Sequence, residues 1–218
     1  MNKVSHIIYI FSISILFTNC YDTKNQNGAN TNSLQAPIFP TTSFYSKIIP
    51  IDTSKSKVTW KGTKMMGIGK HEGDIKITEG EFAVSKEKLV GGHFLVDMTT
   101  INVTDIPEHE PVPRRNLINH LKSEDFFEVA KFPNTKFEIK EAEYSMSDIL
   151  LIGNLTIKDV TKEIAIKADL AIDDKHITLL SSFEINRFDW NLGYTGSWAD
   201  KTLVDKEVKI TVNIKAKI

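Results

Sequence analysis

Toward the C-terminal end, apolar and polar residues alternate almost without error. Ile164, Ile166, Ala168, Leu170 and Ile172 form one such run, and Val208, Ile210, Val212, Ile214 and Ala216 form another. Lys, Thr, Asn, Glu and Asp fill most positions between them. A period of two sends successive side chains to opposite faces of a strand. Each strand therefore has a dry face and a wet face, as in an antiparallel sheet. Runs of about nine residues are long for strands. Long twisted strands curl, and closing the sheet removes its exposed edges. The pattern predicts a closed barrel with an apolar interior, either filled by side chains or holding a ligand.

The alternation extends upstream in shorter pieces. Val58-Thr59-Trp60 predicts a first strand, Asp74 to Thr78 a second, Gly80 to Val84 a third, and Phe94, Val96 and Met98 one face of a fourth that Ile101 and Val103 extend. Gly67 to Gly73 and Gly91-Gly92 read as turns. The proline-rich stretch Pro107 to Pro113 is incompatible with a helix or a central strand. After it, Leu117, Ile118 and Leu121 fall at helical spacing, and Asp125 to Glu128 reads as a short aromatic turn. This helical insert is the candidate lid over one barrel end. Strands resume with Phe137 and Ile139 on one face, then Leu150 to Lys158 interrupted at Gly153-Asn154, then the Ile164 run, then Ile177 to Ile185 with Leu179 and Phe183. Arg187 to Trp198 reads as a loop before the Val208 run. The fold class is all-β: an antiparallel barrel of about eight strands with a small helical insert, spanning residues 48–218.

The rest of the chain reads differently. Ile7 to Phe17 is an apolar segment of about 11 residues, too short for a mature membrane span, and residues 1–19 read as a lipoprotein signal peptide. The only cysteine, Cys20, follows directly, where a bacterial lipoprotein is cut and acylated. Leu16 to Cys20 resembles a lipobox, with Asn19 in place of the usual small residue. Lipid chains on Cys20 would anchor the protein to a membrane of the bacterial envelope without a spanning helix. Residues 20–47, rich in Asn, Thr, Ser, Gln and Pro, read as a flexible tether. A single cysteine leaves no intrachain disulfide, so stability rests on the core. The net charge of -1 provides no field for nucleic acid.

Little in the sequence carries covalent chemistry. No histidine pair has zinc-ligand spacing, and His109 between Glu108 and Glu110 reads as a solvated loop. No Gly-x-Ser-x-Gly elbow occurs. His71, beside the glycine-rich turn, either bonds a polar lipid head or serves structure. Arg187 and Asp189 would share a face of an extended segment. They either form an ion pair that pins the last loop, or Arg187 meets a diphosphate or quinone oxygen with its planar fork. The candidate ligand contacts are apolar. Trp60, Phe94, Val96, Met98, Phe126 and Phe127 come from the first half of the domain, and Phe137, Ile139, Phe183, Phe188 and Trp190 from the second. Together they suit an apolar pocket with few polar groups.

Four blocks resemble a known family. They are Val58 to Gly62 with His71-Glu72-Gly73; Gly92 to Met98 with Ile101; Leu121 to Phe127 with Phe132-Pro133 and Phe137; and Gly153 to Thr161 with Arg187 to Trp190 and Val208-Lys209-Ile210. In order they are similar to the YceI-like family of exported polyisoprenoid-binding proteins. The resemblance implies a lipocalin-like barrel with a hydrophobic tunnel for an isoprenoid or quinone-type lipid, no enzyme activity, no covalent cofactor, no metal, and frequent homodimers. The chain departs from the family pattern at Met65-Met66, in the Pro107–Pro113 loop, at Asp159 and at Trp190-Asn191. Carriage of a lipid is the leading expectation. A filled barrel serving as an interaction module is the alternative, and an enzyme acting on a bound lipid stands behind both. The volume of the interior discriminates among them.

Overall fold

The computed structural model describes residues 46–146, 148–193 and 203–218. The signal segment, Cys20, the tether up to residue 45 and Trp198 lie outside the described residues. The element order is β1 (Lys47–Pro50), β2 (Lys57–Lys64), β3 (Gly69–Ser85), β4 (Lys88–Val103), α1 (Pro111–Lys122), β5 (Asn134–Tyr144), β6 (Ile149–Ile157), β7 (Val160–Ile172), β8 (His176–Asn186) and β9 (Val204–Lys217). One turn of 3-10 helix, Arg187–Trp190, follows β8.

All pairings are antiparallel. The sheet runs β3-β2-β9-β8-β7-β6-β5-β4, and β4 pairs back onto β3, which closes an eight-stranded barrel. The ninth strand, β1, lies in line with β2 against the far half of β3, pairing Ile49 with Phe82. Closure leaves two ends. The β2–β3 turn, α1, the β6–β7 turn and the 3-10 turn sit at one end. The β3–β4, β5–β6 and β7–β8 turns and the start of β1 sit at the other.

Glycine marks close approaches here more often than turns. Gly80 lies inside the unbroken β3, where a Cβ would come within 2.7 Å of Phe94 Cδ1. Gly92 lies inside β4 at φ +154, where a Cβ would meet Glu81 O at 2.5 Å. Gly153 lies inside β6, where a Cβ would press on Glu138 O and the Phe137 ring. The expected breaks at these glycines are therefore absent. The reversal between β3 and β4 falls instead at Lys86-Glu87, both at positive φ.

The helix also starts earlier than expected. Pro111 and Pro113 occupy the first turn of α1, where a missing N–H costs nothing and the fixed φ suits the helix. Arg114 Nη2 donates to Asn102 Oδ1 at 3.0 Å and Lys122 Nζ to Thr99 O at 2.7 Å, which ties α1 to β4. Leu121, Phe126 and Val129 are buried under it. The insert lies over the β4 side of that barrel end.

The interior apolar residues fall into two clusters. Ile49, Phe82, Leu89, Ile139, Ile149 and Ile177 pack solidly at the end where β1 begins. Phe82 and Phe94 meet there edge to face at 5.4 Å. Met98, Ile101, Val103, Leu121, Phe126 and Trp190 pack at the end beneath α1.

Candidate functional site

Between the two clusters the barrel is hollow. Inward positions on the later strands show it directly. Phe183, Val208, Ile210 and Val212 point into the barrel on strict alternation, yet they are only half-buried. Side chains filling a plug would have lost that surface. The space they border is a cavity of about 340 Å³. A single water needs only about 10–15 Å³ measured this way, and ligand pockets run from about 300 Å³ upward. Its lining on β9 runs from Val204 to Ile214. That is about 34 Å along the strand, or roughly 25 Å of barrel height at the usual tilt of about 40°.

The chemistry of the wall changes along that length. Val58, Ile77, Leu151, Ile166, Leu179 and Ile214 make the deep part pure hydrocarbon. Polar lining residues are confined to the α1 end: Thr63, Lys64, Lys70, His71, His120 and Thr135. This end is the mouth, and the packed cluster beside β1 makes the other end blind. At the mouth, β2 and β9 fall out of register between Gly62 and Lys64, and such irregularities re-aim side chains at barrel rims. A Cβ on Gly62 would have no atom of the described residues within 4 Å, so its inward side faces open space among them.

Two polar devices brace the wall near the mouth. Trp60 Nε1 donates to Asn102 O at 3.2 Å, reaching across β3 at Gly73. A Cβ there would lie 2.8 Å from that indole nitrogen. His71 Nδ1 lies 2.9 Å from Asp105 Oδ2, and Asp105 Oδ1 accepts the Glu72 N–H at 3.0 Å. Holding Nδ1 on a carboxylate leaves Nε2 as the ring's second polar atom. Burial pushes the Asp105 carboxyl up, but the Glu72 N–H and the His71 ring outweigh it and hold the group below its ordinary value. A depressed folded-state value contributes stability that is full above the unfolded value of 3.8 and is lost as pH falls through the folded one. Asp105→Asn is therefore expected to melt lower than the parent at neutral pH, and this deficit should shrink by a few °C on acidification to about pH 3. Thermal melts at the two pH values check it.

The expected contacts divide by position. Trp60, His71, Phe94, Val96, Met98, Phe126, Phe127, Phe137 and Phe183 line the cavity. Four others are placed elsewhere. Ile139 belongs to the blind-end packing. Trp190 is 2% exposed, and its Nε1 donates to Leu155 O at 3.3 Å inside the wall. Phe188 lies beneath the Arg187 guanidinium, 4.1 Å from ring centroid to Cζ. Arg187 itself is fully buried, with Nε, Nη1 and Nη2 donating to Asp205 O, Leu192 O and Val204 O at 3.1, 2.8 and 3.0 Å. The segment is a 3-10 turn, so Arg187 and Asp189 do not share an extended face. Much of the actual lining is aliphatic, and Val58, Leu151, Leu155 and Ile210 were not among the expected contacts. Their signal was the alternation itself, which marks every inward position and not the aromatic ones alone. Among the described residues, no group of three or more His, Cys, Asp or Glu is placed to hold a metal ion.

Comparison with known proteins agrees with the fold. A family model described as the YceI-like domain matches residues 50–216. An Enterobacter protein described as a UPF0312 protein is 41% identical over 51 residues, which is 23% of this chain and 27% of the relative. A UPF0312 protein of Shewanella denitrificans is 32% identical over 91 residues, covering 41% of this chain and 44% of the relative. The chain thus aligns with less than half of these relatives' lengths. Among solved structures, Burkholderia cenocepacia BcnA superposes with a TM-score of 0.64 at 20% identity, covering 76% of this chain and 99% of the other.

Proposed function

This chain belongs to the YceI-like domain family, and from that membership and the shape of the hollow we propose that it binds a long apolar lipid inside the barrel and performs no covalent chemistry on it. The observation that carries the reading is the graded cavity, with a hydrocarbon depth closed at one end and polar residues at the open end. Such a wall suits an amphiphile with its tail inward and its head at Lys64, His71 and Thr135. A polyisoprenoid or quinone-type lipid has that form. Burying about ten methylenes contributes roughly 8 kcal/mol, enough to offset several kcal/mol of association cost. Acylation at Cys20 would hold the protein at a membrane of the cell envelope, and storage, protection or transfer of the lipid follows from such a location.

Organic extraction of natively purified protein, followed by mass spectrometry, tests the reading. One lipid class with a single long apolar chain is expected at near-stoichiometric yield. A protein that yields no lipid, and takes up none when offered a long-chain polyprenol or a ubiquinone, would overturn it.

A further inference from the structure

Exposed apolar residues are scattered singly over most of this surface, which is ordinary. The β2–β3 turn is different. Met65 is 49% exposed, Met66 95% and Ile68 81%, within four consecutive residues. Leu203, 39% exposed, adjoins them, because its carbonyl accepts the Met65 N–H at 2.7 Å. The turn is also held in an uncommon shape. Met65, Met66 and Gly67 all have positive φ, at 54, 56 and 88, a region that methionine seldom occupies. Asp205 fastens it: Oδ1 accepts the Met66 N–H at 3.2 Å, and Oδ2 accepts the Thr63 hydroxyl at 2.6 Å. A braced turn thus presents methionine and isoleucine to water.

Its place in the fold gives this a purpose. Lys64 immediately precedes the turn and Lys70 closely follows it, and both line the mouth of the cavity. The stem of Lys64 runs along Gly69, where a Cβ would lie 2.5 Å from Lys64 Cε. Lys70 is paired to Glu72 at 3.6 Å, and the one carboxylate among the described residues bonded to the turn, Asp205, is turned onto Thr63 and Met66. The result is an apolar tip with ammonium groups at its base. That is the arrangement of an element seated in a bilayer interface, where tails take the apolar side chains and anionic heads take the lysines. The tip comprises a handful of side chains, far short of the roughly 800 Å² per partner of a stable protein interface.

We propose that the Met65–Ile68 turn inserts into a lipid surface and sets the mouth against the bilayer, so that a lipid passes between membrane and barrel without crossing water. This rests on the lipid-carrier reading. The occupant is a bilayer bearing anionic lipid.

Methionine oxidation tests it on the full chain, because the chain carries its own controls. Met146, in the β5–β6 turn at the blind end, is fully exposed, and Met98 is 3% exposed inside the barrel. Peroxide converts exposed methionine to the sulfoxide, which peptide mass spectrometry counts. Phosphatidylcholine–phosphatidylglycerol vesicles free of any polyprenol or quinone are expected to slow Met66 oxidation about fivefold while leaving Met146 unchanged. Ile68→Asp, checked for an unaltered melting temperature, should lose most of that protection. Equal rates at Met66 with and without vesicles would overturn the proposal. So would equal slowing of Met66 and Met146, or protection that requires an added protein and not lipid. Cargo is measured separately by extraction, so a barrel that docks but carries nothing is told apart from one that carries but never docks.

Discussion

Gly62→Trp is expected to abolish most lipid loading while leaving the barrel folded. Gly62 sits on β2 at the mouth, with open space among the described residues where a side chain would begin. Its backbone is ordinary strand, paired to His71 on one side and Val208 on the other, so a bulky residue meets no conformational penalty there. An indole at this position would fill space otherwise left to the ligand. Excluding even about two methylenes removes roughly 1.6 kcal/mol, which is about a tenfold loss of affinity. Titration with a fluorescent long-chain fatty acid reads the loss directly. The melting temperature should stay within about 2 °C of the parent, and Gly62→Ala should bind normally. A Gly62→Trp protein that binds like the parent would mean that the ligand does not pass or occupy this opening.

Arg187→Ala is expected to destabilise the domain by about 4 kcal/mol. Among the described residues, the guanidinium gathers three carbonyls from two pieces of chain, Leu192 on one and Val204 and Asp205 on the other. Arg187 is 0% exposed and its bond to Leu192 O is buried, while those to Val204 O and Asp205 O are half-buried. Each orphaned buried acceptor costs about 1–3 kcal/mol. Gly193 belongs to the same device, because a Cβ there would stand 2.4 Å from Arg187 Nη1 and 3.3 Å from Phe126 Cε2. The arginine therefore holds the start of β9 against the 3-10 turn, beside Phe126 of the cavity lining. Arg187→Lys should recover less than half of the loss, because a single ammonium cannot span three divergent acceptors. Urea unfolding measures both variants. Hydrogen exchange should localise the damage to Val204 and Asp205 before the rest of β9 loosens.

The contrast between what the chain showed in advance and what it hid has a physical cause. The strands were legible because a period of two is a local property, and one buried face enforces it over many residues. The long β7 and β9 runs carried the barrel on that basis. Glycines misled because the same residue serves two needs. At Gly80 and Gly153 the need is a neighbouring aromatic ring, Phe94 and Phe137, that no local pattern reveals. The Lys86-Glu87 reversal was hidden because it lacks the Gly or Asn that normally announces positive φ. The cavity wall was read as aromatic because aromatics stand out, whereas the deep wall is built from Val, Leu and Ile that look like any core. Arg187 was the least legible of all. Its partners among the described residues include backbone atoms up to 18 residues away, and backbone leaves no signature in sequence.

The chain joins the barrel through β1, and Lys47 pairs with Val84 at the sealed floor. That strand doubles the wall where the vessel is sealed and leaves the rim untouched. Traffic through the opening therefore never has to disturb the floor.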